Sequence, residues 1–174
     1  VSFEADRLNG GKTEYHKNFL QWLERFQKED LVGSCAQTDM KGERLKRPAQ
    51  QTDPDMYVHV VEKKSDGIVV RGCKLHISEA SISDEILVVP TRALGPDEKD
   101  YAVAFAVPSD HEGVKQVVSI HSQYKRKHFL RGMNIGYSDS YILFEDCFVP
   151  WERVFLFGET DHGGMCALLF ALFH

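Results

Sequence analysis

From Met56 onward the hydrophobic residues recur at every second position, in short runs cut apart by turn signals. A period of two sends alternate side chains to opposite faces, so each run reads as a strand, and strands must pair. Runs over 56–62, 68–78, 85–91, 101–107, 114–121 and 140–149 predict six strands. Lys64-Ser65-Asp66-Gly67 reads as a hairpin turn in which Gly67 supplies a positive φ. Gly95-Pro96 and Pro108-Ser109-Asp110 mark further turns, and Pro150 breaks the last strand. Ahead of the strands, Tyr15, Phe19, Trp22, Leu23 and Phe26 recur at helical spacing, with Thr13 as the cap and Lys28-Glu29-Asp30 as the end. Residues 1–12, polar and holding Gly10-Gly11, read as a loop. Behind the strands, Met165, Leu168, Leu169, Leu172 and Phe173 trace the start of a core helix. The expectation is a mainly β chain, a small antiparallel barrel or sandwich with one helix before it and one after.

A length of 174 residues bounds about one domain with a sizeable core. The net charge of -5 argues against nonspecific nucleic-acid binding, which needs a basic face. The one basic cluster, Lys125-Arg126-Lys127-His128, reads as a solvated strand end. No apolar run reaches the roughly 18 residues of a membrane helix, and no signal-peptide pattern is present. Cys35, Cys73, Cys147 and Cys166 form no CxxC pair, so they read as reduced structural thiols of a cytosolic protein. The chain opens without Met and stops inside an apolar helical run, as a piece of a longer protein would.

Between helix and strands lies the densest polar stretch, Ser34 to Asp55. A strand ending at Asp39 would put Gln37 and Asp39 on one face and Thr38 on the other. Lys41, Gly42, Glu43, Arg44, Lys46 and Arg47 show no apolar period, so they form an exposed loop, either a solvated connection or a surface for an anion. On the strand over 68–78, Lys74, His76 and Ser78 would share a face that meets solvent or lines a pocket. His174, directly after the apolar stripe, reads as a core or interface histidine or as a ligand. There is no GxGxxG, GxxxxGK[ST], HExxH or GxSxG. Residue chemistry alone ends at a β-rich domain with a candidate polar pocket built from 34–55 and 74–78.

Those same residues carry a resemblance. Ala36-Gln37-Thr38-Asp39, then Gly72-Cys73-Lys74-Leu75-His76-Ile77-Ser78, then Phe144-Glu145-Asp146-Cys147-Phe148-Val149-Pro150-Trp151-Glu152-Arg153-Val154 follow in the order of three segments of the acyl-CoA dehydrogenase superfamily. Within it the chain resembles the branch of 4-hydroxyphenylacetate 3-monooxygenase and 4-hydroxybutyryl-CoA dehydratase. The stretches from Ala36 to Arg44 and from Gln51 to Met56 are nearer the dehydratase. The resemblance implies a central antiparallel β-barrel domain over 33–158, the end of an N-terminal helical domain over 1–32, the start of a C-terminal one over 159–174, and a homotetramer.

It also implies FAD, with Gln37 and Thr38 at the polar edge of the ring and His76, Ile77 and Ser78 bordering its other side. Lys41, Arg44 and Arg47 would meet a pyrophosphate or CoA phosphate. It implies a [4Fe-4S] cluster with His174 as ligand and candidate proton acceptor, the remaining cysteine ligands lying outside this chain. The implied reaction is dehydration of the acyl-CoA substrate 4-hydroxybutyryl-CoA to crotonyl-CoA, with vinylacetyl-CoA isomerisation beside it, in cytoplasmic 4-aminobutyrate metabolism. In that family a one-electron, flavin-radical route acidifies the β-proton, and the cluster acts as Lewis acid for the leaving hydroxyl. One departure leaves the substrate open: a glutamate is expected just ahead of the strand at Phe144, and this chain has Tyr137-Ser138-Asp139-Ser140. The alternatives are an FADH2-dependent aromatic monooxygenase and a non-catalytic binding module. The monooxygenase branch tends to carry a histidine where this chain has Ala36-Gln37. The fragment alone is expected to be inactive and to bind FAD poorly, because neighbouring subunits contribute to flavin binding in this superfamily.

Overall fold

A computed structural model describes residues 1–119 and 138–173. Residues 1–12, expected as loop, instead hold a helix: Ser2–Leu8 forms helix α1, whose Ala5 is fully buried. Helix α2 follows over Tyr15–Lys28. Its cap comes from α1 rather than from Thr13. The Asp6 carboxylate accepts the backbone N–H groups of Tyr15 at 3.0 Å and His16 at 2.9 Å. Thr13 donates its hydroxyl to the same carboxylate at 2.6 Å. A carboxylate at these orphan donors stabilises the helix start by charge as well as by hydrogen bonding.

The strands are β1 (Gly33–Ala36), β2 (His59–Lys63), β3 (Gly67–Ser78), β4 (Glu85–Val88), β5 (Val103–Pro108), β6 (Val114–Val118), β7 (Asp139–Pro150) and β8 (Val154–Phe157). Helix α3 spans Thr160–Phe173. Period-two patterning located six of these strands. It did not reveal β8, and it ran β4 three residues too far. The predicted run over 114–121 is a strand as far as Val118; its end lies outside the described residues.

No closed barrel forms among the described residues. The strands make two four-stranded sheets, β1-β4-β5-β8 and β2-β3-β7-β6, and β1 runs parallel to β4. The sheets face each other across an apolar core in which Phe105 of β5 meets Phe144 of β7 edge-on at 5.6 Å. Closing a barrel needs a continuous ladder between the sheets. At the corner where β1 leads toward β3 there is only an isolated antiparallel bridge, Asp39 to Lys74. That corner is where the candidate site lies.

The β2–β3 hairpin exists as expected, with the Lys64 N–H donating to the Gly67 carbonyl at 2.8 Å. The role assigned to Gly67 changes, however. It does not take a positive φ; a Cβ there would collide with the Val149 carbonyl and the Phe148 ring of β7. Close strand approach, not turn geometry, demands this glycine.

Helix α2 closes one face of the first sheet. Phe19 and Trp22 pack against Phe155 of β8 at 5.5 and 5.7 Å. The Trp22 indole and the guanidinium groups of Arg25 and Arg153 converge on the buried carboxylate of Glu85. Helix α3, read as a core helix, leaves Met165, Leu168 and Leu172 exposed, since no described element lies over them. No described helix is long and apolar enough to cross a membrane.

Candidate functional site at the sheet corner

Strand β1 stops at Ala36, where the Gln37 N–H turns back to the Cys35 carbonyl at 3.1 Å. Gln37, Thr38 and Asp39 therefore leave the first sheet and cross to the second. Three ties fasten them to β3. The Leu75 N–H donates to the Thr38 carbonyl at 2.8 Å. The Lys74 ammonium donates to the Gln37 carbonyl at 2.9 Å and to Asp39 Oδ1 at 2.5 Å. The two polar patches from which the sequence reading built one candidate pocket, 35 residues apart in the chain, thus form one seam. Asp39 turns inward and Thr38 is exposed, as strand alternation predicts.

The expected Lys74-His76-Ser78 face is corrected. A bulge between Lys74 and Ile77 breaks the alternation, and His76 occupies it in the left-handed region with φ of 54°. Lys74 therefore points inward at 2% exposure, while His76 and Ser78 point outward. His76 meets the Tyr141 ring edge-on at 6.1 Å. The Ile77 side chain is buried in the core, so only its backbone could serve a ligand. The Ser78 hydroxyl donates to Asp139 Oδ1 at 3.0 Å. Asp139, the residue standing near the expected glutamate, is thereby placed against the hairpin return. His174 and the cluster Lys125-Arg126-Lys127-His128 lie outside the described residues.

Beside the seam opens a cleft of about 330 Å³ lined by Thr38, Asp39, Lys41, Arg44, Thr91 and Arg92, with Tyr57 behind them. Of the three loop cations singled out in the sequence, Lys41 and Arg44 reach it. Arg47 does not: its guanidinium is spent on the buried carboxylate of Glu98, 2.5 Å away. Glu98 sits below the usual carboxylate range although burial pushes it up, because Arg47 and the N–H groups of Gly95 and Ala49 outweigh that push. Arg92 takes Arg47's expected place. It donates to the Tyr57 hydroxyl at 2.8 Å and lies 5.6 Å from that ring's centre. Sequence reading missed Arg92 because it sits in a stretch with no period, read as a turn.

The 41–52 loop presents its cations from a fastened frame. The Gln51 amide accepts from the Glu43 N–H at 2.9 Å and donates to the Glu43 carbonyl at 3.1 Å. The Glu43 carboxylate is held down to a pKa of about 2 by Lys46 first and then by the hydroxyl and N–H of Thr52. The four cysteines are free thiols. Among the described residues no group of three or more His, Cys, Asp or Glu side chains could hold a metal ion.

The two-sheet β unit, with a helix packed on one sheet and a helix after it, has an acyl-CoA dehydrogenase-like fold. The acyl-CoA dehydrogenase of Geobacillus kaustophilus superposes with a TM-score of 0.52 at 22% identity, over 87% of this chain and 35% of that one. The chain belongs to the family described as "4-hydroxyphenylacetate 3-hydroxylase N terminal", whose model matches residues 1–156. It is 39% identical to the 4-hydroxybutyryl-CoA dehydratase/vinylacetyl-CoA-Δ-isomerase of Clostridium aminobutyricum, over 100% of this chain and 36% of that protein. The oxygen-tolerant archaeal 4-hydroxybutyryl-CoA dehydratase from N. maritimus superposes with a TM-score of 0.85 at 33% identity, covering 94% of this chain and 33% of that one. The oxygenase component of 4-hydroxyphenylacetate 3-monooxygenase, complexed with FAD, gives 0.74 at 27% identity over 94% of this chain and 34% of that one. The chain spans about a third of the length of the relatives it matches.

Proposed function

We propose that this chain is part of an FAD- and [4Fe-4S]-dependent enzyme that dehydrates 4-hydroxybutyryl-CoA to crotonyl-CoA and isomerises vinylacetyl-CoA, as a cytoplasmic homotetramer. One observation carries the reading: the seam that ties 37–39 to β3 borders a cationic cleft, in a chain 39% identical throughout to such a dehydratase. The residues fit a flavin. A bound flavin supplies electron transfer, and the protein supplies binding, orientation and electrostatics. Gln37 and Thr38 would meet the ring's polar edge. His76, Ser78 and the backbone of Ile77 would border its other side. Lys41, Arg44 and Arg92 would neutralise the phosphates of FAD or of the acyl-CoA.

Asp139, tied to Ser78, would serve as the acid/base group in place of the expected glutamate. His174 would be this chain's ligand to the cluster, whose chemistry is Lewis acidity at the leaving hydroxyl, and a second candidate proton acceptor. The organisation proposed is the end of a helical domain over 1–32, the β domain over 33–158 and the start of a second helical domain over 159–174.

The test is iron, acid-labile sulfide and flavin per subunit in the full-length parent protein, purified without oxygen. About four irons beside FAD, with the iron lost in His174→Ala, is the expected result. Flavin with no iron would replace this reading with the FADH2-dependent aromatic monooxygenase, which the family match and the FAD-complexed oxygenase favour. Neither flavin nor iron would leave a binding module.

A further inference from the structure

A buried lysine is costly unless its charge is paired and every N–H is used. Lys74 meets both conditions. Its ammonium has three acceptors: Asp39 Oδ1 at 2.5 Å, the Gln37 carbonyl at 2.9 Å and the Val89 carbonyl at 2.9 Å. The other oxygen of Asp39 accepts the hydroxyl of Thr91. One side chain from the second sheet therefore joins the segment after β1 to the segment after β4, β1 and β4 being strands of the first sheet. Nothing in core packing requires this, because two apolar residues of the same volume would fill the space without a desolvation cost. What the ion pair adds is register: it holds the Gln37 carbonyl and the Asp39 carboxylate, on either side of Thr38, and leaves the Thr38 side chain exposed.

We propose that Lys74 is a positioning residue, whose ammonium sets the placement of Gln37 and Thr38 against a bound flavin. The inference rests on the flavin reading of the site and goes beyond it, since Lys74 itself touches only protein groups. Arginine would not replace it, because a planar fork cannot reach three acceptors arranged around a single nitrogen.

The experiment compares the full-length enzyme with the double variant Lys74→Met/Asp39→Asn. That pair keeps the volumes, leaves no orphaned charge and lets the new amide still accept from Thr91. The expected variant melts within a few degrees of the parent, binds FAD at least tenfold more weakly and has a displaced absorption band for the flavin it retains. A purely structural lysine would not move that band. FAD affinity and spectrum equal to the parent's would overturn the inference while leaving the flavin reading intact. A parent enzyme that binds no FAD would overturn both. Should the double variant fail to fold, Lys74→Arg carries the decision: it keeps the charge but cannot reach all three acceptors, and a shifted flavin band supports the proposal while an unchanged one overturns it.

Discussion

The side-chain amide of Gln51 occupies the space a Cβ on Gly42 would need. Gly42 also has φ of 47°, in the left-handed region that a residue with a Cβ enters only at a cost. Both features serve one end, the frame in which Gln51 brackets Glu43 and the loop offers Lys41 and Arg44 to the cleft. Gly42→Ala should therefore destabilise the chain by about 2 kcal/mol. The cost should be local. Trypsin should cut at Lys41, Arg44 or Lys46 in the variant well before it cuts the parent, and equal cleavage rates would refute the frame.

The cleft cations predict a different signature. Arg44 and Arg92 line the cleft beside Thr38 and Thr91, where a phosphate would find charged donors. Replacing either with Gln in the full-length protein should weaken FAD or acyl-CoA binding by about tenfold, the worth of one charge-assisted hydrogen bond. The salt dependence of binding should fall with it. Arg47→Gln should behave otherwise. Its partner is Glu98, so it should lower stability and leave salt-dependent binding largely unchanged.

What could be read from the sequence depended on how local the cause was. Helix α2 and the strands from β2 to β7 were legible because a hydrophobic period is a local property. The cap of α2 was not, because its carboxylate, Asp6, stands nine residues before Tyr15 on another helix. That the two halves of the site build one pocket was expected, but the contacts that join them were not legible, since they depend on β1 ending at Ala36 and on a single bridge to Lys74. The inward turn of Lys74 was misread for a related reason: one bulged residue, His76, inverts the face of everything before it.

Glu85 holds α2 to the first sheet. Its carboxylate, 3% exposed, accepts from Arg153 at 2.8 and 3.2 Å, from Trp22 at 3.4 Å and from Arg25. Glu85→Ala strands the partly buried Arg153, leaves Arg25 with Glu29 alone, and should cost about 3 kcal/mol. Because Trp22 loses its acceptor, its fluorescence should shift to the red in the folded variant. A variant with the parent's melting temperature and emission would show that α2 is held by Phe19 and Trp22 packing alone.

Alkaline sensitivity follows from the buried thiols. Burial pushes the Cys147 thiol up to about 12 and the Cys73 thiol up to about 11, from an ordinary value of 9.0. Tyr15 also moves up, by burial first and then through the charges of Glu159 and Asp6. Each group is neutral in both states below its ordinary value, so stability should not depend on these groups near neutral pH. Between the unfolded and folded values the folded state binds the extra proton, so stability falls as pH rises. The slope is about 1.4 kcal/mol per pH unit for each group within its window. Melting temperature should thus stay level to about pH 9 and decline steadily above it. Cys147→Ala should flatten that decline while lowering stability at pH 7 through the small cavity it opens. An unchanged alkaline slope in the variant would remove Cys147 from the account.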